Sequence, residues 1–570
     1  MARRVGKLHV IKGVLVVGKS GMTVGSGRLG VDADIQTIRD GLGRLVIPGE
    51  TLAGCLVRVD GVERLDSRDR ASQVWIEHAI ETGPDADKAG SSVQTFDHVN
   101  RDRRTGTAAP GGLHSAELVR RGASFMVEIT VEEAEGPDGE SVALRNVTAI
   151  AGALRRGIQV GAKQSADQGH ITCQDPRITT HDLSSPKGML LRLIGLGGGS
   201  VPDVLGGKLP MAMGLSEFCT SHGIEEPAAT ANVLTITFPW RAGGPILSST
   251  AAEGQVGRLP ALTLVRVGNE EHLLGRITVR QPLRALAERI ERTARGGDPE
   301  PPASAASDFD RQLMDGRCAL SQVLFGATGG KESGRAAAWR QGAVHTRAHV
   351  VSSKQWAAIG NALTVPNSGE RDELAKKRRK ARIRLREAVK EDPAEVVKKA
   401  PALVVKKAPA LVLREHNRIE PWSRSPLDGH LFAEIAIQKH VEWEPVTIHI
   451  DLDRLAATYV WRDDGDGARW EVGCSDEQAR AALALTLLTL REASTFGLGA
   501  GGGASRALGW MEIDAKDVSF EAPEGSIAGF LNGMTLEEIC EATDAPDHAI
   551  NEVQDAWRSA VEGGSSDVAR

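Results

Sequence analysis

The spacing of apolar and polar side chains marks the elements of this chain before any motif is considered. Residues 7–17 (KLHVIKGVLVV) carry aliphatic and β-branched side chains with no turn signal, which predicts one continuous strand. After the turn "RDGLGRLVIPG", the stretch "ETLAGCLVR" predicts a helix start with Glu50 or Thr51 as its cap. Residues 123–133 (ASFMVEITVEE) alternate with period two and predict a strand, and 147–157 (VTAIAGALRRG) a short amphipathic helix leading into a Gly-punctuated turn.

The second half repeats this order. A strand at 232–238 (NVLTITF) precedes a long loop and a basic amphipathic helix at 280–295 (RQPLRALAERIERTAR). A strand at 429–438 and a helix at 475–493 (SDEQARAALALTLLTLREA) then run into the Gly-rich turn and closing strand of "STFGLGAGGGASRALGWMEI". The order predicts an α+β chain duplicated at domain scale. The expected limits are a first domain at 1–192, a connection at 193–231 and a second domain at 232–515. A basic insertion lies near 366–413, and an acidic, partly helical tail covers 516–570.

Composition changes this picture in two places. The 570 residues exceed what one ordinary core organises, in keeping with two domains. The net charge of −6 does not announce a nucleic-acid binder, yet "KKRRKARIRLR" (376–386) packs eight basic side chains into eleven residues. Two copies of VVKKAPAL follow it, at 396–403 and 404–411. Such a cluster suits phosphate binding by counterion release. The six cysteines lie far apart with no C-x-x-C pair, which argues against a zinc site or a disulfide framework and fits a reducing cytoplasm. No apolar run is long enough to span a bilayer, so a soluble cytoplasmic protein with no membrane partner is expected.

Two nucleotide motifs appear by letter. GVLVVGKS (13–20) matches the P-loop pattern, and GSGRLG (25–30) the dinucleotide fingerprint. A P-loop needs a flexible loop and then a helix beginning at its Lys-Ser. Here Val14, Leu15, Val16 and Val17 continue a strand, and GMTVGSGRLG cannot start a stable helix. Both matches are read as decoys.

Several segments together resemble the RAMP superfamily, the backbone subunits of type III CRISPR effector complexes. "VIPGETLAGCLVR" resembles its PG-helix segment, and "ADIQTIRDGLGRLVIPG" the acidic loop before it. "FDHVNRDRRTGTAAPGGLHSAELVRRGASF" resembles the stretch that forms the family's thumb. In the second half "LLGRITVRQPLRALAERIER", "SQVLFGATGGKESGRAA", "HNRIEPWSRSPLDGHLFAE" and "FGLGAGGGASRALGW" fall in the same order. The resemblance implies two tandem RRM-like (ferredoxin-like) domains with large loop insertions. It also implies a guide CRISPR RNA, a complementary target RNA and other type III effector subunits as partners.

The resemblance further implies Mg²⁺-dependent endonucleolytic cleavage of the target by an aspartate of the acidic loop. That residue is Asp34, which would also hold the metal, with Asp32 as the fallback. The matching second-half loop, AAEGQVGRLPALTLVR, has no aspartate, so the first domain is expected to cut and the second to hold RNA. The first thumb would use His98, Asn100, Arg101, Arg103 and Arg104; the second, His416, Asn417, Arg418 and Trp422. Arg39, Arg58, Arg280, Arg284 and the run Lys376, Lys377, Arg378, Arg379 and Lys380 complete the expected RNA contacts. Two alternatives from the same superfamily stay open. One is a purely structural RNA-binding subunit; the other is a guide-processing nuclease, although no histidine pair stands out for its chemistry.

Overall fold

A computed structural model describes residues 5–26, 33–57, 59, 62, 72–82, 93–101, 108–134, 139–196, 210–227, 232–248, 264–267, 270–296, 318–326, 337–352, 410–419, 426–462, 469–502, 508–542 and 550–562. The chain forms two compact units of mixed helix and curled antiparallel sheet. One comprises residues 1–95 and 115–231; the other takes in 96–114 and 232–570.

The first unit is organised on one long strand, β1 (Val5–Val17). Along one edge β1 pairs antiparallel with Ser124–Ala134; along the other it pairs with Arg177–Asp182 and, at its end, with His170–Thr172. Its buried side chains Ile11, Leu15 and Val17 meet those of the helix Gly139–Arg156, among them Val147, Ile150 and Leu154. The "P-loop" letters are thereby explained. Gly13 sits inside β1, where a Cβ would collide with Cys173 Sγ. Residues 18–21 form a turn, and no helix starts at Lys19.

The helix Gly49–Leu56 corrects the expected cap. Pro48 is the N-cap, no side chain caps the helix, and Glu50 and Thr51 fall within its first turn. The Gly49 amide instead donates to His78 Nδ1 over 3.0 Å.

The second unit places the strand Val233–Phe238 between Val446–Asp451 and Ser519–Glu521. Its core helix Asp476–Phe496 begins at Ser475, whose hydroxyl accepts from the Gln478 amide at 3.2 Å. Buried Leu483, Leu485 and Leu490 join it to Ile236 and Ile448 of the sheet.

Duplication is visible bond by bond. Left-handed glycines follow the core helix at Gly157, Gly161 and Gly169 in one unit and at Gly497, Gly501 and Gly509 in the other, with the same spacing. Gly169 donates to Gly21 O at 2.8 Å and Val160 to Gly169 O at 2.9 Å; Gly509 donates to Pro245 O at 2.8 Å and Ala500 to Gly509 O. Ala162 donates to Thr23 O, and Gly502 to Leu247 O.

The repeat extends beyond the expected limits. The sequences MGLSEFC (213–219) and MTLEEIC (534–540) close the two units alike. Ile178 N donates to Met213 O at 2.8 Å, and Phe520 N to Met534 O at 3.2 Å. The helices Leu215–His222 and Leu536–Ala542 follow. Within the expected connection 193–231, Leu215, Phe218 and Cys219 are core residues of the first unit. The expected tail supplies Phe520, Leu536, Ile539, Ile550 and Val553 to the second. A final helix, Ile550–Glu562, packs along the core helix. Among the described residues no helix is long and apolar enough to cross a membrane.

Candidate nucleic-acid interface

After β1 the chain runs out and back. Gly25 pairs with Thr37, Ser26 N donates to Gln36 O at 2.8 Å, and Ile38 N to Val24 O at 3.3 Å. Asp34 lies exposed on the returning arm, while Asp32 lies outside the described residues. That arm runs beside the strand β2 (Ala108–Val119), with Ile35 N donating to Ser115 O at 3.0 Å and Glu117 N to Ile35 O at 2.9 Å.

The strand's polar side chains hold the arm. Asp34 Oδ2 accepts from the Ser115 amide at 2.7 Å and from its hydroxyl at 3.1 Å. Glu117 Oε2 accepts from Thr37 N at 2.8 Å and from its hydroxyl at 2.7 Å, and both Glu117 oxygens accept from Arg39 Nη2 at 3.3 Å. Arg39, expected on RNA, thus also closes this loop through an ion pair.

The strand Val93–Arg101 pairs with β2 as a hairpin. His98, Asn100 and Arg101 stand on its outgoing strand; Arg103, Arg104 and Arg58 lie outside the described residues. His416, Asn417 and Arg418 stand on Leu411–Ile419, which pairs with Pro426–Ile437 and loses its regular register between Asn417 and Ile419. Trp422 and the run Lys376–Lys380 lie outside the described residues.

Arg284 requires a correction. It is 5% exposed, and its guanidinium is spent on Phe325 O at 3.4 Å, Gly326 O at 3.1 Å and Glu288 Oε1 at 2.8 Å. It closes the C-terminal end of the helix Ala319–Phe325 and presents no surface to a phosphate. Arg280 joins it there, donating to Phe325 O at 2.6 Å. Both lie on Arg280–Ala294, whose buried face takes in Arg284, Glu288 and Glu291 beside Leu283 and Ala287. Reading that helix as basic and amphipathic did not distinguish these buried charges from solvated ones.

The Gly-rich turns are explained by their own backbones. A Cβ at Gly161 would collide with Thr23 O and one at Gly501 with Leu247 O, so these glycines serve close packing within each unit.

Ser115 and Glu117 were missed from sequence. The available signal was the alternation of Ser115 and Glu117 with Ala116 and Leu118 in "HSAELV". Their counterparts follow from pairing. Met22 and Val119 exchange both backbone bonds, at 3.0 and 2.7 Å, as Ile246 and Ile437 do at 2.8 Å. Two and four residues back along each strand, Glu117 matches Ile435 and Ser115 matches Ala433. The second unit has neither polar partner.

Among the described residues no group of three or more His, Cys, Asp or Glu is placed to hold a metal ion. A lone exposed carboxylate fits Mg²⁺ only where nucleic-acid phosphates and water complete the shell, which is the ion's usual habit. Compared with known proteins, the chain matches no protein-family model, and no curated protein is significantly similar to it.

Proposed function

We propose that this chain is a tandem RAMP-type subunit of a type III CRISPR RNA-guided complex, built of two RRM-like domains. It binds guide RNA with both halves and cuts complementary RNA with the first. The proposal places it in the cytoplasm with other effector subunits. The observation that carries the reading is the asymmetry of the duplication: one half holds an exposed aspartate on a paired loop, and the other has no aspartate there, Glu253 being the only acid nearby, and lacks the counterparts of Ser115 and Glu117.

Asp34 then serves as the carboxylate that faces the target backbone, and the hairpin residues His98, Asn100 and Arg101 orient the guide. A bound Mg²⁺ would stabilise the charge that develops as a ribose 2′-oxygen, losing its proton to solvent, attacks the adjacent phosphorus in line, giving a 2′,3′-cyclic phosphate while the P–O5′ bond breaks and the 5′-oxygen leaves as a protonated hydroxyl.

The test uses the assembly purified with its guide, a labelled complementary RNA and Mg²⁺, comparing wild type with Asp34→Ala. Discrete cuts by wild type, with one lost in a variant that still binds, support the reading. Identical cuts from both make this chain a scaffold. Absence of guide RNA from the purified assembly overturns the proposal altogether.

A further inference from the structure

We infer that Ser115 is a positioning residue that sets the orientation of the Asp34 carboxylate; the inference rests on the function proposed for Asp34. The side chain of Asp34 stands on an exposed loop arm, where a carboxylate would ordinarily sample several rotamers. Three bonds prevent this. The Ser115 amide and hydroxyl both donate to Oδ2, at 2.7 and 3.1 Å, and the Asp34 amide lies 3.0 Å from the Ser115 hydroxyl. Two donors on one oxygen fix the plane of the carboxyl group and commit Oδ2 to the protein. The orientation of Oδ1 is fixed with it.

The support beneath Ser115 is rigid. It belongs to β2, whose Ala116 and Leu118 are buried, and Val119 exchanges both backbone bonds with Met22. Glu117, two residues on, grips the same arm at Thr37 and Arg39. The arm is therefore anchored on both sides of Ile35, and the carboxylate is held where a cation shared with RNA phosphates needs a preset ligand. The second unit supplies the internal comparison. Where its loop carries no aspartate, Ala433 and Ile435 replace Ser115 and Glu117. A serine needed only to close the loop would serve both units equally.

Ser115→Ala removes the hydroxyl and leaves the amide bond, whereas Ser115→Thr keeps a hydroxyl on a strand that tolerates β-branching. Each variant is assembled with guide and bound to a target whose reactive 2′-hydroxyl is replaced by hydrogen. Mn²⁺ affinity is then read by electron paramagnetic resonance, and cutting is measured separately on all-ribose target. Removing one hydrogen bond to a charged group predicts roughly tenfold weaker Mn²⁺ binding and slower cutting in Ser115→Ala, with target affinity unchanged and recovery in Ser115→Thr. Melting curves establish that both variants are folded. If Asp34→Ala abolishes cutting but Ser115→Ala leaves Mn²⁺ affinity at the wild-type value, the positioning role is overturned and the proposed function stands. If Asp34→Ala cuts like wild type, the proposed function fails and this inference falls with it.

Discussion

Gly509 donates its amide to Pro245 O across 2.8 Å, and in the other unit Gly169 makes the same bond to Gly21 O. Bonds of this kind bring the Gly-rich turn of each unit against the segment that follows its own first strand. Gly161 and Gly501, at φ +80° and +76°, also leave no room for a Cβ. Alanine at either position therefore incurs both backbone strain and a collision. Each substitution is expected to cost about 3 kcal/mol. Gly122, at φ +79° with open space around it, isolates the strain, and its alanine variant should lose only about 1 kcal/mol. Urea unfolding of the three variants measures the difference.

His9 makes the first unit sensitive to acid. Its ring is buried against Phe218, with Nδ1 2.9 Å from Thr180 Oγ1. Burial, followed by His222 and Lys7, lowers its pKa to about 4, outweighing Glu140. The unfolded chain therefore takes up a proton near pH 6.5 that the folded unit refuses until about pH 4. Stability rises with pH through that window and is lost as pH falls through it, by on the order of 3 kcal/mol. A His9→Gln variant should show a flatter profile between those pH values. An unchanged profile would assign the acid sensitivity to other groups.

Arg284 and Glu288 form a buried pair at 2.8 Å, 7% and 4% exposed at their side chains. Arg284→Ala takes the guanidinium away from a buried carboxylate and uncaps the neighbouring helix, which should cost about 3–5 kcal/mol. The double change Arg284→Met with Glu288→Met should recover the charge-burial part of that loss and leave the part due to the uncapped helix end. RNA affinity should not change in the double variant. A large fall in affinity with intact stability would return Arg284 to the RNA surface.

Cutting the chain after residue 515 should destroy the second unit. The lost segment carries buried Phe520, Leu531, Leu536, Ile539, Ile550 and Val553 and a strand of the central sheet. Burial of six such side chains is worth on the order of 10 kcal/mol, comparable to the whole stability of a domain. A chain ending at residue 562 should fold normally. Limited proteolysis and circular dichroism of the two truncations distinguish these outcomes.

On the function proposed, neutralising Lys376, Lys377, Arg378, Arg379 and Lys380 together should weaken RNA binding and flatten its salt dependence. If all five meet single-stranded phosphates, the slope of log K against log salt falls in magnitude by roughly 3. An unchanged slope removes this run from the interface.

The sequence determined the elements and the duplication. β1, the helix at 280–295 and the helix capped by Ser475 were legible because apolar spacing and strand or cap chemistry act over a few neighbouring residues. The same local reasoning excluded the P-loop, since four strand-forming residues occupied its loop. Tertiary structure alone decided three things. The helices at 215–222 and 536–542 are core because their apolar side chains join clusters assembled from distant segments of each unit, a burial that polar flanking sequence conceals. Arg284 and Glu288 are inside because each neutralises the other and a helix end needs the guanidinium. Asp34 meets Ser115 across 81 residues because a loop arm is laid along a strand. No pattern within either segment records that pairing, since it depends on the register between them.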